Sequence, residues 1–235
     1  MTTVGLLYPG HSAAEDDYPR METLLNGVNV PIVHTRPGQD VLAAEGGLAA
    51  GTEELRLSGA EAVVWADTDG SATHGWEGGQ ERIRALALAA GLPASSTAFG
   101  FVHAVRELGA GRVAVASGQS PEELVRFTRF LAEAGVRVLE PAGTTGTVGA
   151  VVPPPEAEEP RDVVELVRAS DHPEAEVVLV PDTALSTVAL LPELEAAIGK
   201  PVLTANQVTL WEGLRLAERR GAWSTELGAL FARKE

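Results

Sequence analysis

Asp67 and Asp182 each end an apolar run. Val63-Val64-Trp65-Ala66 leads into Asp67-Thr68-Asp69-Gly70-Ser71, and Val177-Val178-Leu179-Val180-Pro181 leads into Asp182-Thr183-Ala184. An apolar run that breaks into a carboxylate, a hydroxyl and a small residue reads as a buried parallel strand running out into a functional loop. Two carboxylates aimed at one substrate can remove a proton from one face and return one to the other, or protonate a carbanion. Thr68, Asp69, Thr183 and Ala184 would supply backbone N–H groups and hydroxyls to hold a carboxylate or an oxyanion beside them. A single Asp at a strand end is as readily a cap for the helix that follows. These two gain weight from being equivalents.

That equivalence rests on an internal repeat. Gly91-Leu92-Pro93-Ala94-Ser95-Ser96 is echoed by Gly199-Lys200-Pro201-Val202-Leu203-Thr204, and a helix-like run follows each, over 101–105 and 209–213. The glycines and prolines stand 108 residues apart and the two Asp 115 apart, a difference that a small loop insertion absorbs. The alternative is that α/β units resemble one another without common origin. We read a duplicated α/β unit with one Asp in each copy.

The elements that must position the pair alternate along the chain. Strands are predicted over 4–8, 28–35, 63–66, 94–96, 112–116, 136–139, 177–180 and 202–203. Helices are predicted over 13–25, 40–58, 80–90, 98–108, 121–134, 160–169, 191–198 and 207–219. Ser12 and Ser120 read as N-caps, with Glu15 and Glu123 three residues on. A glycine-flanked loop over 74–79 and a Gly/Thr/Pro-rich loop over 142–155 interrupt the pattern, the second expected above the pocket. Trp223, Leu227, Leu230 and Phe231 would pack the tail back. Such alternation predicts an α/β protein of two Rossmann-like halves with parallel sheets, related by a pseudo-two-fold axis. Residues 1–97 plus 207–235 would form one half and 98–206 the other. The active site would lie in the cleft between them, beyond the strands' carboxyl ends.

Composition narrows the partners. The 235 residues include 18 Lys and Arg against 33 Asp and Glu, a net charge of −15. Nucleic acid and anionic membranes are therefore excluded as expected partners, and a small-molecule substrate is favoured. With no cysteine, disulfides, thiolate metal sites and thiol nucleophiles are ruled out. No signal-like or spanning apolar run is present, so a cytoplasmic location is expected. A homo-oligomer is possible.

The chain resembles the aspartate/glutamate racemase superfamily, in the branch of maleate cis–trans isomerases and arylmalonate decarboxylases. The matching pieces are Gly5-Leu6-Leu7-Tyr8-Pro9, Val33-His34-Thr35-Arg36, Gly91-Leu92-Pro93 with Ser96-Thr97-Ala98, Leu108-Gly109 with Arg112-Val113-Ala114, and Glu195, Gly199-Lys200-Pro201-Val202, Asn206-Gln207 and Trp211. The resemblance implies a cofactor-free enzyme with facing cysteines, one per half, of which decarboxylases keep the second. Asp67 and Asp182 occupy those two positions by order. Gly118 stands where a pocket Tyr is common and Ser12 where Asn is common, so both are expected to line the substrate site. The fold should carry over, but thiol chemistry cannot.

Carboxylates must then do the work. A free carboxylate titrates at about 4, ready as a base and poor as an acid. Two facing each other in a dry cleft would share a proton, one value rising. His11 follows the first strand and is expected at the cleft; with the two Asp it would make a metal set, but no metal is expected. His34, His74, His103 and His172 read as surface or packing residues and Arg36 as a solvated strand end. Trp65 and Trp211 read as core, and Trp76 as a pocket lid or an exposed loop residue. The first reading is a racemase or isomerase on a small carbon acid. A decarboxylase or other lyase, a hydrolase or hydratase with Asp-activated water, and a binding protein stand beside it.

Overall fold

The computed structural model describes residues 1–36, 47–140, 150–151, 160–219 and 221–233. The chain runs β1 (Thr2–Pro9), a 3-10 turn (Ala13–Asp16), α1 (Asp17–Leu25), β2 (Val28–Asn29), β3 (Ile32–Thr35), α2 (Gly47–Leu57), β4 (Ala62–Trp65), α3 (Thr68–Ala72), α4 (Gly75–Ala90), β5 (Ala94–Ser96) and α5 (Thr97–Glu107). It continues as β6 (Arg112–Ser117), α6 (Pro121–Glu133), β7 (Arg137–Val138), β8 (Ala150–Val151), α7 (Pro160–Ser170), β9 (Val177–Val180), a 3-10 turn (Val188–Leu190), α8 (Leu191–Ile198), β10 (Val202–Thr204) and α9 (Ala205–Leu216), with two further 3-10 turns in the tail.

Two sheets result, with parallel pairing throughout. The first has the order β2-β1-β4-β5, with β3 also on β1; the second has β7-β6-β9-β10, with β8 also on β6. The same order is thus used twice. Register repeats too: Val63 pairs with Ala94, and Val178 with Val202. These are the residues that the sequence repeat equates. Gly91 and Gly199 cap equivalent helices, α4 and α8, in the left-handed region at φ 64° and 66°.

Each sheet is buried on both faces, which is why β4 and β9 are wholly apolar. Side chains alternate between faces. Leu6 and Val64 point into a central core with Val113, Val115, Val177 and Leu179, whereas Leu7, Val63 and Trp65 form a separate outer cluster. Ala114, Ala116, Val178 and Val180 do the same on the second sheet's outer face. Helices α5 and α9 are equivalents in the repeat and pack against each other. Their Thr97 and Thr209 hydroxyls meet at 2.6 Å, and His103 Nδ1 lies 2.9 Å from the buried Glu212. Helix α9 also lies on β1, β4 and β5, so the last helix of the second repeat covers the first sheet.

Several elements depart from expectation for identifiable reasons. The helix over 13–25 is a 3-10 turn followed by α1, because Pro19 has no N–H to give the Glu15 carbonyl. The strand over 28–35 breaks around Pro31 into β2 and β3. The expected loop over 74–79 is instead the first turn of α4. Glu133 accepts the Trp76 N–H at 2.8 Å, and the Trp76 ring packs on Phe99 and Phe130 at 4.8 and 5.4 Å. Trp76 is therefore neither a lid nor an exposed loop residue. Leu227, Leu230 and Phe231 pack the tail as expected, but Trp223 is 49% exposed. Residues 40–46 and most of the 142–155 loop lie outside the described residues.

The approach of α9 to the first sheet is set by Gly213. A Cβ there would overlap Val4 Cγ1 of β1, and neither backbone can retreat from the central core. Gly213→Ala is therefore expected to cost about 1–3 kcal/mol of stability by overpacking. Adding Val4→Ala should recover part of that loss, measured by urea denaturation of the single and double variants; strict additivity would show that the contact does not limit packing.

Candidate active site

The local sequence explains each Asp. Asp67 follows the last β4 residues in extended conformation and caps the short α3, accepting the Gly70 N–H on Oδ1 at 3.0 Å. A Cβ at Gly70 would run into the Trp65 ring and Asp67 Oδ2. Gly70 thus lets the buried indole and the carboxylate share one turn. Asp182 follows β9 and accepts the Ala184 N–H on Oδ1 at 2.8 Å, closing an Asx turn.

The two loops touch. Thr68, next to Asp67, is buried and donates its hydroxyl to the carbonyl of Pro181, next to Asp182, at 2.7 Å. Tyr8 at the end of β1 donates to the Thr183 carbonyl at 2.9 Å, and the Ser12 hydroxyl reaches the Ala184 carbonyl at 3.5 Å. Gly118 follows β6 at the same end of the second sheet. The loop after β4 thus meets the loop after β9, and Tyr8 and Ser12 at the end of β1 bond to the same second loop.

Burial is the main electrostatic influence on both acids. It pushes the Asp67 carboxyl up, opposed by the Gly70 and Asp69 N–H groups and assisted by the Asp69 and Glu123 charges. It pushes Asp182 up as well, opposed by the Ala184 N–H and assisted by Glu123. The shared third charge is thus Glu123, whose carboxylate forms the Ser120 capping box at the start of α6. Tyr8 is pushed up to about 12, chiefly by burial, and its hydroxyl stays protonated at any ordinary pH.

Two expected site residues are used differently. The Asp69 carboxylate holds Arg126 of α6 in a two-pronged pair at 2.7 and 2.9 Å, tying α3 to the second half. His11 does not join the two Asp. Among the described residues its ligand-distance neighbours are Glu15 and His34, and its ring lies 3.8 Å from that of His34. The loop after β1 turns it there because Ser12 caps the 3-10 turn and brings Glu15 under it. Sequence reasoning missed Tyr8, Glu123 and Arg126 as parts of the site. Tyr8 was legible as the polar end of an apolar strand. Glu123 read only as a capping acid.

Whole-chain comparison identifies the relatives of this arrangement. The sequence profile of the arylmalonate decarboxylase family matches residues 12–231. The chain belongs to that family. It is 27% identical over 216 residues to the arylmalonate decarboxylase of Bordetella bronchiseptica, covering 91% of this chain and 88% of that one. A crystal structure of arylmalonate decarboxylase superposes with a TM-score of 0.78 at 25% identity, over 97% of this chain and 98% of the other. The maleate isomerase of Pseudomonas putida, solved with maleate, shares the fold with a TM-score of 0.81 at 17% identity, over 98% and 97%. A Nocardia farcinica maleate cis–trans isomerase solved with a covalently bound succinylcysteine shares it at 0.75 and 18%, over 100% and 99%. The chain is accordingly an enzyme of the arylmalonate decarboxylase family, and it shares its fold with the maleate isomerases. Having no cysteine, it cannot form a succinylcysteine.

The raised Asp67 value has a consequence for stability. The unfolded chain ionises Asp67 at its ordinary value, the folded chain only higher, so its contribution is fully present below the ordinary value. It is lost as pH rises through the folded one. Asp67→Asn keeps the cap and removes the buried charge, so at pH 7 the variant should be at least as stable as the parent, the difference vanishing below about pH 4. Asp67→Ala should lose about 1 kcal/mol through the missing cap. Urea titrations at the two pH values decide it: an Asn variant less stable at pH 7 than at pH 4, relative to the parent, contradicts this electrostatic account.

Proposed function

We propose that this chain is a cofactor-independent decarboxylase of small malonate-type acids carrying an aryl or similar apolar group, with Asp182 as proton donor. The observation that carries it is the placement of two carboxyls, pushed toward their neutral forms by burial, at equivalent strand ends whose neighbours are joined by the Thr68–Pro181 bond. In the reaction one C–CO₂ bond breaks and its electron pair stays on the α-carbon, delocalised into the remaining carboxylate. Asp182 then gives its proton to that carbon and leaves as a carboxylate, to be reprotonated from solvent. An ordinary Asp, titrating at about 4, would be a poor donor at neutral pH; the raised value brings it nearer the working range. Keeping Asp67 toward its neutral form also spares a dianionic substrate one repulsive charge. The Ser12 and Thr183 hydroxyls and the backbone at Gly118 would hold the retained carboxylate. Whole-length similarity to arylmalonate decarboxylase supports this reading over the isomerases, whose likeness is one of fold. The enzyme would act in the cytoplasm.

The pairing of the acids favours a second reading, a racemase or isomerase in which Asp67 and Asp182 serve opposite faces of a carbon acid. Incubation of phenylmalonate-type acids in heavy water separates the two. The decarboxylase releases carbon dioxide and leaves one deuterium on the α-carbon, whereas the isomerase exchanges hydrogen on a monoacid without gas release. Asp182→Asn should lower kcat by about 10²–10⁴-fold, the usual worth of a general acid. The parent's rate should fall as pH rises through the raised Asp182 value, since the donor form is then lost. Full activity in Asp182→Asn, or a flat profile from acid to alkaline pH, would remove Asp182 as the donor.

A further inference from the structure

A second cluster of chemically capable side chains lies beside the first. His11, Glu15 and His34 each offer a ligand atom, and these atoms lie within 4.8 Å of one another. His34 Nε2 is 2.7 Å from Glu15 Oε2, and His11 Nδ1 is 3.9 Å from Glu15 Oε1. We propose that these three residues form a binding site for a divalent transition cation, of which Zn²⁺ is the best-fitting probe, at the rim of the cleft.

The local structure builds the site. His11 and Glu15 stand one turn apart across the 3-10 turn that Ser12 caps. His34 comes from β3, paired in register with Tyr8 of β1. Glu15 is oriented before any metal arrives: its Oε1 accepts the Ser12 N–H at 2.8 Å, a backbone hold of the kind that fixes metal-binding carboxylates. Two imidazoles and a carboxylate suit Zn²⁺, Cu²⁺ or Ni²⁺ rather than Ca²⁺ or Mg²⁺.

The geometry needs little change. Tetrahedral Zn²⁺ takes its nitrogen and oxygen ligands at about 2.0–2.2 Å, which places those atoms about 3.3 Å apart. The cation would replace the proton between Glu15 Oε2 and His34 Nε2, opening that contact by roughly half an ångström. His11 would close on it, and with its side chain 78% exposed it is free to rotate. Three protein ligands leave a fourth position open to water or an acid group. Ser12 lies between two of the ligands and reaches the Ala184 carbonyl, so a bound cation would fix the β1 loop against the Asp182 loop. The net charge of −15 favours cation capture in general but does not place it.

Calorimetric titration of chelator-treated, tag-free protein with Zn²⁺ at pH 7.5 tests the site. One equivalent should bind, with a rise in Tm at excess Zn²⁺. His11→Ala and His34→Ala should each weaken binding at least about tenfold and remove the Tm rise. Co²⁺ in place of Zn²⁺ should give the visible absorption of a four-coordinate nitrogen and oxygen site, lost in both variants. Asp67→Asn/Asp182→Asn should bind as the parent does. Circular dichroism of the metal-free variants establishes that the fold persists, His11→Ala being the safer because that side chain is exposed. No saturable binding below about a hundred micromolar, binding unaffected by either histidine, or binding lost with the two Asp would each overturn the proposal.

Discussion

Helices α5 and α9 pack against each other, and α9 lies across the first sheet on β1, β4 and β5. Each is the last helix of its repeat, and each sits where a side chain on the wrong position would force the sheets apart. Gly100 of α5 gives way to Val208 of α9, and Gly213 of α9 gives way to Val4 of β1. The Thr97–Thr209 hydroxyl contact, between two fully buried side chains, fixes their rotation. Glu212, buried on α9, is tolerated there because His103 and Arg215 surround it and hold its carboxyl low despite burial. From that packing follow the common core, the shared direction of the carboxyl ends and the contact between the Asp67 and Asp182 loops.

Polar contacts tie the loops after β4 and β9 to the helices around them. Asp17 of α1 is 4% exposed and accepts from the Thr187 and Val188 N–H groups and from Asn206. Tyr18 donates to the same Asn206, and α1, the segment after Asp182 and α9 meet at the Asp17 carboxylate. Asp69 and Arg126 make the corresponding tie between α3 and α6. These contacts locate the loops to within a hydrogen-bond length, which a proton transfer requires.

The burial of Asp67 and Asp182 ties stability to protonation: an acid with a raised value supports the folded state while it keeps its proton, and the support is lost as pH rises through that value. A free carboxyl titrates at about 4; burial moves both of these upward, and the Glu123 charge adds to the shift.

The sequence by itself determined the α/β class, the duplicated unit and the two strand ends. Apolar runs buried on both faces, glycine stops and capping serines are local signals, and each acts within a few residues. It singled out Asp67 and Asp182 as candidates through the repeat offset, and it indicated the family through short motifs in a fixed order. Tertiary structure alone decided what each polar side chain near those ends does. Asp69 was legible as a neighbour of Asp67, yet its partner Arg126 lies 57 residues away on another helix. Thr68 reads as a substrate hydroxyl until its bond across 113 residues to Pro181 is seen. His11 reads as a cleft residue until the turn capped by Ser12 aims it at Glu15 and His34. Trp76 reads as a loop residue until Glu133, from a distant helix, caps the turn that carries it. Periodicity and propensity record which way a side chain faces along its own element; which partner waits there depends on the packing of elements far apart in the chain, and no local pattern encodes it.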